Sequence, residues 1–468
     1  LNPSNPPQFV QTARTRSKER SEPCDPKSIE NSVRQLLSDK VSGNQVGIWM
    51  LVPELLRLHA WEMLCHWSAR PADHVEPRLA LHLVNESAMC LSSMRARRTL
   101  SQKGFELANG LPFVPSDGAI HALLNSRSVL DSTQLQLALG KSRRAGNHFS
   151  GRLLAFDPHR TISHSKRQMR RHRFDPSQKS RKMTQAFFLL DCDSGQPLGF
   201  TLASSATTAI DAFKDVLGMG AEILGLEQAA SGTKPLVLAD KEHHSQQLFE
   251  FVNQHQLFDL LVPVPARERS SKELAAIHQL HFTEQWAGFA TAQRTTTFKS
   301  APDLPLTEFI QRSGAAGAKP SYQSFLATCA RDEVNVLTKD YPERWQIEEF
   351  FKFNQALGWN RAGTLNLNVR YGQMTMALIA QSAIHQVRRR LGDPIATWDA
   401  EHLAQQFFRA LEGDIRVQND TIVVTLYNAP NVERLRKHYE GLPEILQGEG
   451  VDPHIPWLYG FKLDFRFR

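Results

Sequence analysis

From Arg152 onward, short apolar runs alternate with amphipathic segments, and this order constrains the fold more than any other feature of the chain. An apolar run at 153–156 is followed by a hairpin pattern and a helical segment. A second run at 235–239, another helical segment and a third run at 258–264 come next. An order of strand, hairpin, helix, strand, helix, strand predicts a mixed sheet with helices on its faces. We therefore expect an α/β fold here.

The segments on either side are mainly helical. Residues 46–67 are apolar on all sides, which indicates a buried helix. Two shorter helices are predicted to begin after Ser116 and Asp131, whose side chains can accept hydrogen bonds from free backbone amides. This pair is either a helix-turn-helix or an ordinary helical hairpin. Downstream, the pattern predicts a long helix over 369–390, strands over 414–417 and 421–427, and a helix near 431–439.

Composition limits the class of partner and the compartment. The 468 residues carry a formal net charge of +7, which favours a polyanion such as nucleic acid. The five cysteines are scattered without zinc or disulfide spacing, which indicates a reducing compartment, and we expect the cytoplasm of a bacterial host. The sequence contains no run of roughly eighteen apolar residues, so we expect no membrane partner.

Three acidic residues are candidate metal ligands. Asp157 and Asp240 each follow an apolar run directly, and Glu348 lies in a later helical segment. Strand ends in such sheets meet at one edge, and carboxylates brought together there repel one another unless a cation intervenes. Oxygen ligands without His or Cys select Mg²⁺ or Mn²⁺. The alternative for each Asp is a turn or helix-cap residue, as we infer for Asp191 and Asp193 in the hairpin turn.

The segment around Glu348 predicts a helix with two distinct faces. At 100° per residue, one stripe carries a carboxylate among cations and a phenol, a surface suited to a metal ion and a phosphodiester. The remaining circumference is apolar and predicts packing against the protein. The stripe consists of Tyr341, Arg344, Glu348, Lys352 and Gln355.

The spacing of Tyr341, Arg344 and Glu348 resembles that of the DDE transposases of bacterial insertion sequences, in the group marked by Tyr-x2-Arg-x3-Glu-x6-Lys. The resemblance extends over residues 152–390, with Asp157 and Asp240 at the first and second aspartate positions. The chain departs from the group at Gln355, which stands at the lysine position. Lys352, one turn earlier, is then expected to supply part of that phosphate contact.

The resemblance implies an RNase H-like catalytic core that uses two Mg²⁺ ions, with Mn²⁺ as a substitute. Asp157, Asp240 and Glu348 would be both the catalytic residues and the metal ligands. Tyr341, Arg344 and Lys352 would contact DNA near the cleaved bond. A β-rich insertion is expected between the second aspartate and the glutamate.

Within that insertion, Trp286 is the candidate for stacking on an extruded base, a contact worth about 1–3 kcal/mol. The alternative is that Trp286 anchors the core of the insertion.

A basic tract follows Asp157 and predicts contact with DNA phosphates, although a solvated surface is the alternative. It runs from 160 to 182, and a single acid, Asp175, balances it. The candidate DNA-binding residues in the tract are Arg160, Lys166, Arg167, Arg170, Arg171 and Arg173.

With these features, the resemblance implies a cut-and-paste DNA transposase that acts as a homodimer on double-stranded DNA, both transposon ends and target. Two alternatives remain: an RNase H-like nuclease without strand transfer, and an inactive transposase-derived DNA-binding protein. The predicted fold is an RNase H-like α/β mixed sheet with flanking helices. The predicted segments are a disordered arm at 1–28, a helical N-terminal domain for DNA-end recognition at 29–148, the core in two parts at 149–265 and 331–392, the β-rich insertion at 266–330, and a small α+β C-terminal region at 393–468.

Overall fold

The structure is a computed structural model in which the chain forms two compact units. The terminal unit contains the residues up to Arg127 together with Ile379–Arg468, and the central unit is Ser128–Leu378. The central unit takes in residues 128–148, which the predicted segments assign to the N-terminal domain. The described residues are 25–91, 103–163, 171–173, 177, 179–203, 208–227, 233–266, 268, 271–277, 281–314, 319–359 and 364–468.

The central unit is built on a mixed sheet. Its first strands are β1 (Leu153–Ile162), β2 (Arg181–Asp191), β3 (Gln196–Leu202), β4 (Leu236–Ala239) and β5 (Asp259–Pro263). Strand β2 pairs antiparallel with both β1 and β3, whereas β4 lies parallel to β1, and β5 lies parallel to β4. The prediction of a mixed sheet with a hairpin is therefore confirmed.

Strand β1 is longer than the sequence predicts. The prediction that it ends at Asp157 is wrong, because β1 continues to Ile162 and remains paired with β2 through Pro158. The parallel partner β4 has already ended at Ala239, opposite Phe156. Beyond Phe156, β1 is therefore bonded on one side only, where a residue without an N–H group is tolerated.

Three helices precede or connect these strands: α1 (Val129–Ala145), α2 (Ala209–Leu224) and α3 (Gln246–His255). Helix α1 begins two residues before the predicted start at Asp131. Ser128 is its N-cap, and Asp131 is the third helical residue of a reciprocal capping box. Both α2 and α3 supply residues to the hydrophobic core on one face of the sheet.

The segment after β5 adds four antiparallel strands to the same sheet, because the last of them pairs with β5. The single strand predicted over 285–292 is wrong. Gly288, with φ of +79°, forms a turn that divides this stretch between two strands. The strands are β6 (Thr283–Trp286), β7 (Phe289–Phe298), β8 (Ala301–Ser313) and β9 (Ser321–Ala327).

The helical segment around Glu348 changes its winding along its length. A π-helical turn (Val336–Asp340) leads to a 3₁₀ turn (Tyr341–Trp345) and then to the α-helix α4 (Gln346–Asn354). The prediction of one regular α-helix from Tyr341 to Gln355 is therefore wrong. The long helix predicted downstream is confirmed as α5 (Leu367–Leu391).

The terminal unit contains helices and a four-stranded sheet. Its first helix is Pro26–Ser38, so the predicted disordered arm is wrong for residues 26–28, and residues 1–24 lie outside the described part of the chain. Helix Asp117–Ser126 begins after the predicted N-cap Ser116. Strands Glu412–Gln418 and Thr421–Tyr427 form the predicted pair. Within the described ranges, none of the helices combines the length and apolar character that crossing a membrane requires.

Candidate active site

Strand register places Asp157 and Asp240 side by side. The parallel ladder between β1 and β4 ends with the pair Phe156 and Ala239, and the next residue of each chain segment is an aspartate, Asp157 within β1 and Asp240 directly after β4 in extended conformation. Phe156 and Ala239 belong to the core cluster beneath α2. Because consecutive strand residues point to opposite faces, both aspartates belong to the other face of the sheet.

Helix α4 packs on that same face. Phe188 of β2 is the cross-strand partner of Asp157, and paired residues share a face. The ring of Phe188 lies 6.0 Å from Phe350 and 5.3 Å from Phe351, both on α4. Glu348 is carried by the same helix, so the structure brings together the three acidic residues that the sequence analysis singled out.

Arg344 lies between two of these carboxylates. Its Nη2 is 3.2 Å from Oε1 of Glu348, and its Nη1 is 3.8 Å from Oδ1 of Asp157. The side chain of Arg344 is only 16% exposed, so these charges are poorly screened by water. Burial lowers the pKa of Arg344, but Tyr341 and the three acidic residues outweigh burial and raise it.

Burial and, to a smaller extent, the neighbouring carboxylates favour the neutral form of Asp157. Burial raises the pKa of Asp157 to about 7, Arg344 opposes this rise, and Asp240 and Glu348 add to it. Three carboxylates that repel one another in a half-buried site form a donor set suited to a hard divalent cation. Nevertheless, no group of three acidic, histidine or cysteine side chains among the described residues is placed to hold a metal ion.

Tyr341 and Lys352, the two other predicted DNA contacts of the helical stripe, have different surroundings. The ring of Tyr341 packs against Phe325 at 4.7 Å, and burial raises the pKa of its phenol to about 12. Lys352 is 60% exposed and pairs with Glu349 at 2.6 Å. Its ammonium group lies 4.9 Å from the ring centre of Trp345. Lys352 therefore contacts neighbours on its own helical segment.

Trp286 lies at the turn between β6 and β7. Its side chain is 51% exposed and stacks on Phe289, with ring centres 4.4 Å apart. The buried cluster of the insertion is formed by other residues: Leu274, Ala292 and Ile310. Trp286 is thus not a core anchor of that cluster, and base stacking stays a prediction.

The basic tract is described only in part. Arg160 is 22% exposed and forms an ion pair with Glu242. Arg171 and Arg173 are exposed, and the short strand Arg171–His172 pairs with β2. Three predicted DNA contacts lie outside the described residues: Lys166, Arg167 and Arg170.

His243 is a buried neighbour of the site to which the sequence analysis assigns no role. His243 is 3% exposed, and its ring lies 4.8 Å from that of Phe156, directly behind the acidic site. Burial lowers its pKa to about 4, so the ring is neutral at physiological pH. Only its place three residues after Asp240 could have indicated this packing role.

A family model described as "Transposase DDE domain" matches residues 126–382, more than half of the chain. No curated protein matches the sequence. Among solved structures, the chain is similar to a piggyBac transposase in a synaptic complex with hairpin DNA. That likeness has a TM-score of 0.38 and 11% sequence identity, and it covers 79% of this chain and 82% of the other.

Proposed function

Since this chain belongs to the transposase family defined by that DDE domain, we propose that it is a cut-and-paste DNA transposase. It would hydrolyse the phosphodiester at each transposon end and join the freed 3′-hydroxyl to target DNA. The observation that carries the proposal is the meeting of Asp157, Asp240 and Glu348 on one face of the sheet. The strand order β3-β2-β1-β4-β5, with its parallel and antiparallel pairs, supports an RNase H-like core.

The proposed role of the acidic residues is to bind divalent cations, two Mg²⁺ or Mn²⁺ ions, through their carboxylate oxygens. When bound, such ions activate the attacking water or 3′-hydroxyl and stabilise the leaving oxygen. Asp157 must release its proton before it can serve as a ligand, because burial favours its neutral form. Arg344 balances part of the charge on Asp157 and Glu348, whereas Lys352 pairs with Glu349 and would assist in the contact with DNA phosphate.

The neighbouring residues would position DNA. Tyr341 stays a neutral phenol at physiological pH and can donate its O–H to a phosphate oxygen. Arg344 can donate two hydrogen bonds to the same phosphate. The exposed face of Trp286 would stack on an extruded base, and Arg171 and Arg173 would follow the DNA backbone.

By the family resemblance, we propose that two subunits bind the two transposon ends as a homodimer. The helical N-terminal region would recognise the ends, and the C-terminal region would mediate subunit pairing. These two roles follow from the family resemblance and carry no residue assignments.

Replacing Asp240 tests the proposal. The Asp240→Asn variant should lose Mg²⁺-dependent nicking of DNA while it still binds DNA, because only the metal-binding charge is removed. Asp193→Asn is the matched control. The carboxylate of Asp193 lies in the hairpin turn and pairs with Arg152, so nicking should survive the replacement of Asp193. Nicking that persists in Asp240→Asn would contradict the metal assignment.

The same assay separates the alternatives. With pre-cut ends and a target plasmid, a transposase gives joined product. Cleavage of intact DNA without any joined product would instead indicate a nuclease. DNA binding without cleavage in the presence of Mg²⁺ or Mn²⁺ would indicate an inactive DNA-binding protein.

A further inference from the structure

The guanidinium of Arg344 lies beside the carboxylates that a bound cation would need as ligands. Its guanidinium lies 3.8 Å from Asp157 and 3.2 Å from Glu348, and Asp240 also acts on its charge. Its side chain is more buried than those of Asp157 and Glu348, which are 20% and 32% exposed. The guanidinium thus lies beside Asp157 and Glu348 in the partly buried part of the site, and not on its exposed surface.

The electrostatics of the site require such a group. Three carboxylates at one place repel one another unless a positive charge lies close to them, and the guanidinium of Arg344 supplies that charge. A guanidinium relieves it through several N–H donors, but it cannot give the carboxylates the short, convergent geometry that a small divalent ion demands. Arg344 and the metal therefore compete for the same oxygens.

A DNA phosphate offers Arg344 another partner. A phosphate accepts two parallel hydrogen bonds from a guanidinium, as a carboxylate does. Arg344 also comes from the 3₁₀ turn Tyr341–Trp345, whereas Glu348 is fixed on α4. Its guanidinium can leave Glu348 for a phosphate through side-chain rotation, without moving the helix that carries the glutamate.

We propose that Arg344 is an internal counter-ion that occupies the acidic site until DNA arrives, and that its transfer to a DNA phosphate opens the carboxylates to divalent cations. This inference rests on the proposed function and adds a regulation of the same site. DNA binding and metal binding are then coupled, and by thermodynamic linkage each tightens the other. The enzyme would be loaded with metal mainly when its substrate is present.

Metal binding without DNA is the direct test. Mn²⁺ affinity, measured by calorimetry and by the spin-resonance signal of free Mn²⁺, should be about tenfold tighter in Arg344→Gln than in the natural protein, within the usual range of coupling between sites. Arg312→Gln is the matched control. Arg312 lies on β8 of the insertion, is 21% exposed and pairs with Glu284 at 3.4 Å, so this variant loses the same charge outside the acidic site. Its affinity should not change.

Three further measurements keep the test decisive. Arg344→Lys retains a charge but cannot bridge two carboxylates, so its Mn²⁺ affinity should be intermediate, and circular dichroism checks that each variant is folded. Adding Asp240→Asn to Arg344→Gln should remove the gain, which shows where the metal binds. A saturating random-sequence duplex at low salt should tighten Mn²⁺ binding to the natural protein but not to Arg344→Gln.

The outcomes separate the two proposals. If Mn²⁺ binds at an Asp240-dependent site with the same affinity in the natural protein and in Arg344→Gln, the counter-ion role is overturned, and the proposed function stands. If Asp240-dependent Mn²⁺ binding is absent with and without the duplex, the proposed function itself fails.

Discussion

Glu106 in the terminal unit gives a sharp prediction about stability and pH. Its side chain is 4% exposed, and its Oε1 has no hydrogen-bond partner among the described residues. Burial raises the pKa of this carboxyl to about 8, although a backbone hydrogen bond lowers it. Folding therefore takes up a proton at neutral pH, because the unfolded chain exposes an ionised glutamate.

The sign and size of the effect follow by linkage. The pKa is higher in the folded state, so stability falls as pH rises from about 4.5 toward about 8. One pH unit in this window corresponds to about 1.4 kcal/mol for one proton. Between pH 5 and pH 7, Glu106 should cost about 2–3 kcal/mol of unfolding free energy, and Glu106→Gln should recover most of it at pH 7.

Urea unfolding at several pH values measures this difference. Glu106→Gln should match the natural protein near pH 5 and exceed it increasingly toward pH 8. Glu62→Gln, at an exposed position of the same unit, should leave the dependence unchanged. If Glu106→Gln is no more stable than the natural protein at pH 7, the carboxyl is not buried in its neutral form, and this reasoning is refuted.

Two predictions concern DNA. Trp286→Ala should weaken stacking on an extruded base by about 1–3 kcal/mol, which would appear as reduced quenching of 2-aminopurine near the cut. Phe353→Ala, which removes another exposed aromatic ring, should leave this quenching unchanged. Unchanged quenching in Trp286→Ala would refute the assignment. Replacing Arg171 and Arg173 together by Gln should reduce the magnitude of the slope of log affinity against log salt concentration. The reduction should be roughly 0.9 for each DNA phosphate that the variant no longer neutralises, as measured by filter binding or fluorescence anisotropy. An identical slope would indicate that the tract is a solvated surface.

The central sheet could be predicted because its strands are short apolar runs, a local property of the chain. The pairing of β1 with β2 beyond Asp157 could not, since it depends on where the neighbouring strand β4 ends. The burial of His243 likewise comes from aromatic rings far away in the sequence. Local pattern thus predicted which elements exist, and tertiary contacts decided where they end.

The candidate site was predicted through spacing, and the fold brings its three acids to one face of the sheet. The stripe of side chains assumed regular α-helical winding, whereas Tyr341 and Arg344 lie on a 3₁₀ turn. The i to i+4 pair of Arg344 and Glu348 nevertheless forms. What spacing could not predict is that Arg344 enters the group of acids, because that depends on the depth at which α4 packs on the sheet.

The extension of β1 past Asp157 makes the three acids mechanically unequal. Asp157 lies within a strand that pairs with β2 both before and after this residue in the chain. Asp240, in contrast, follows the last residue of β4. Glu348 belongs to a helix entered through irregular turns. Any closing of the acids around a small ion must therefore come from Asp240 and Glu348, with Asp157 as the fixed point from which the distances are set.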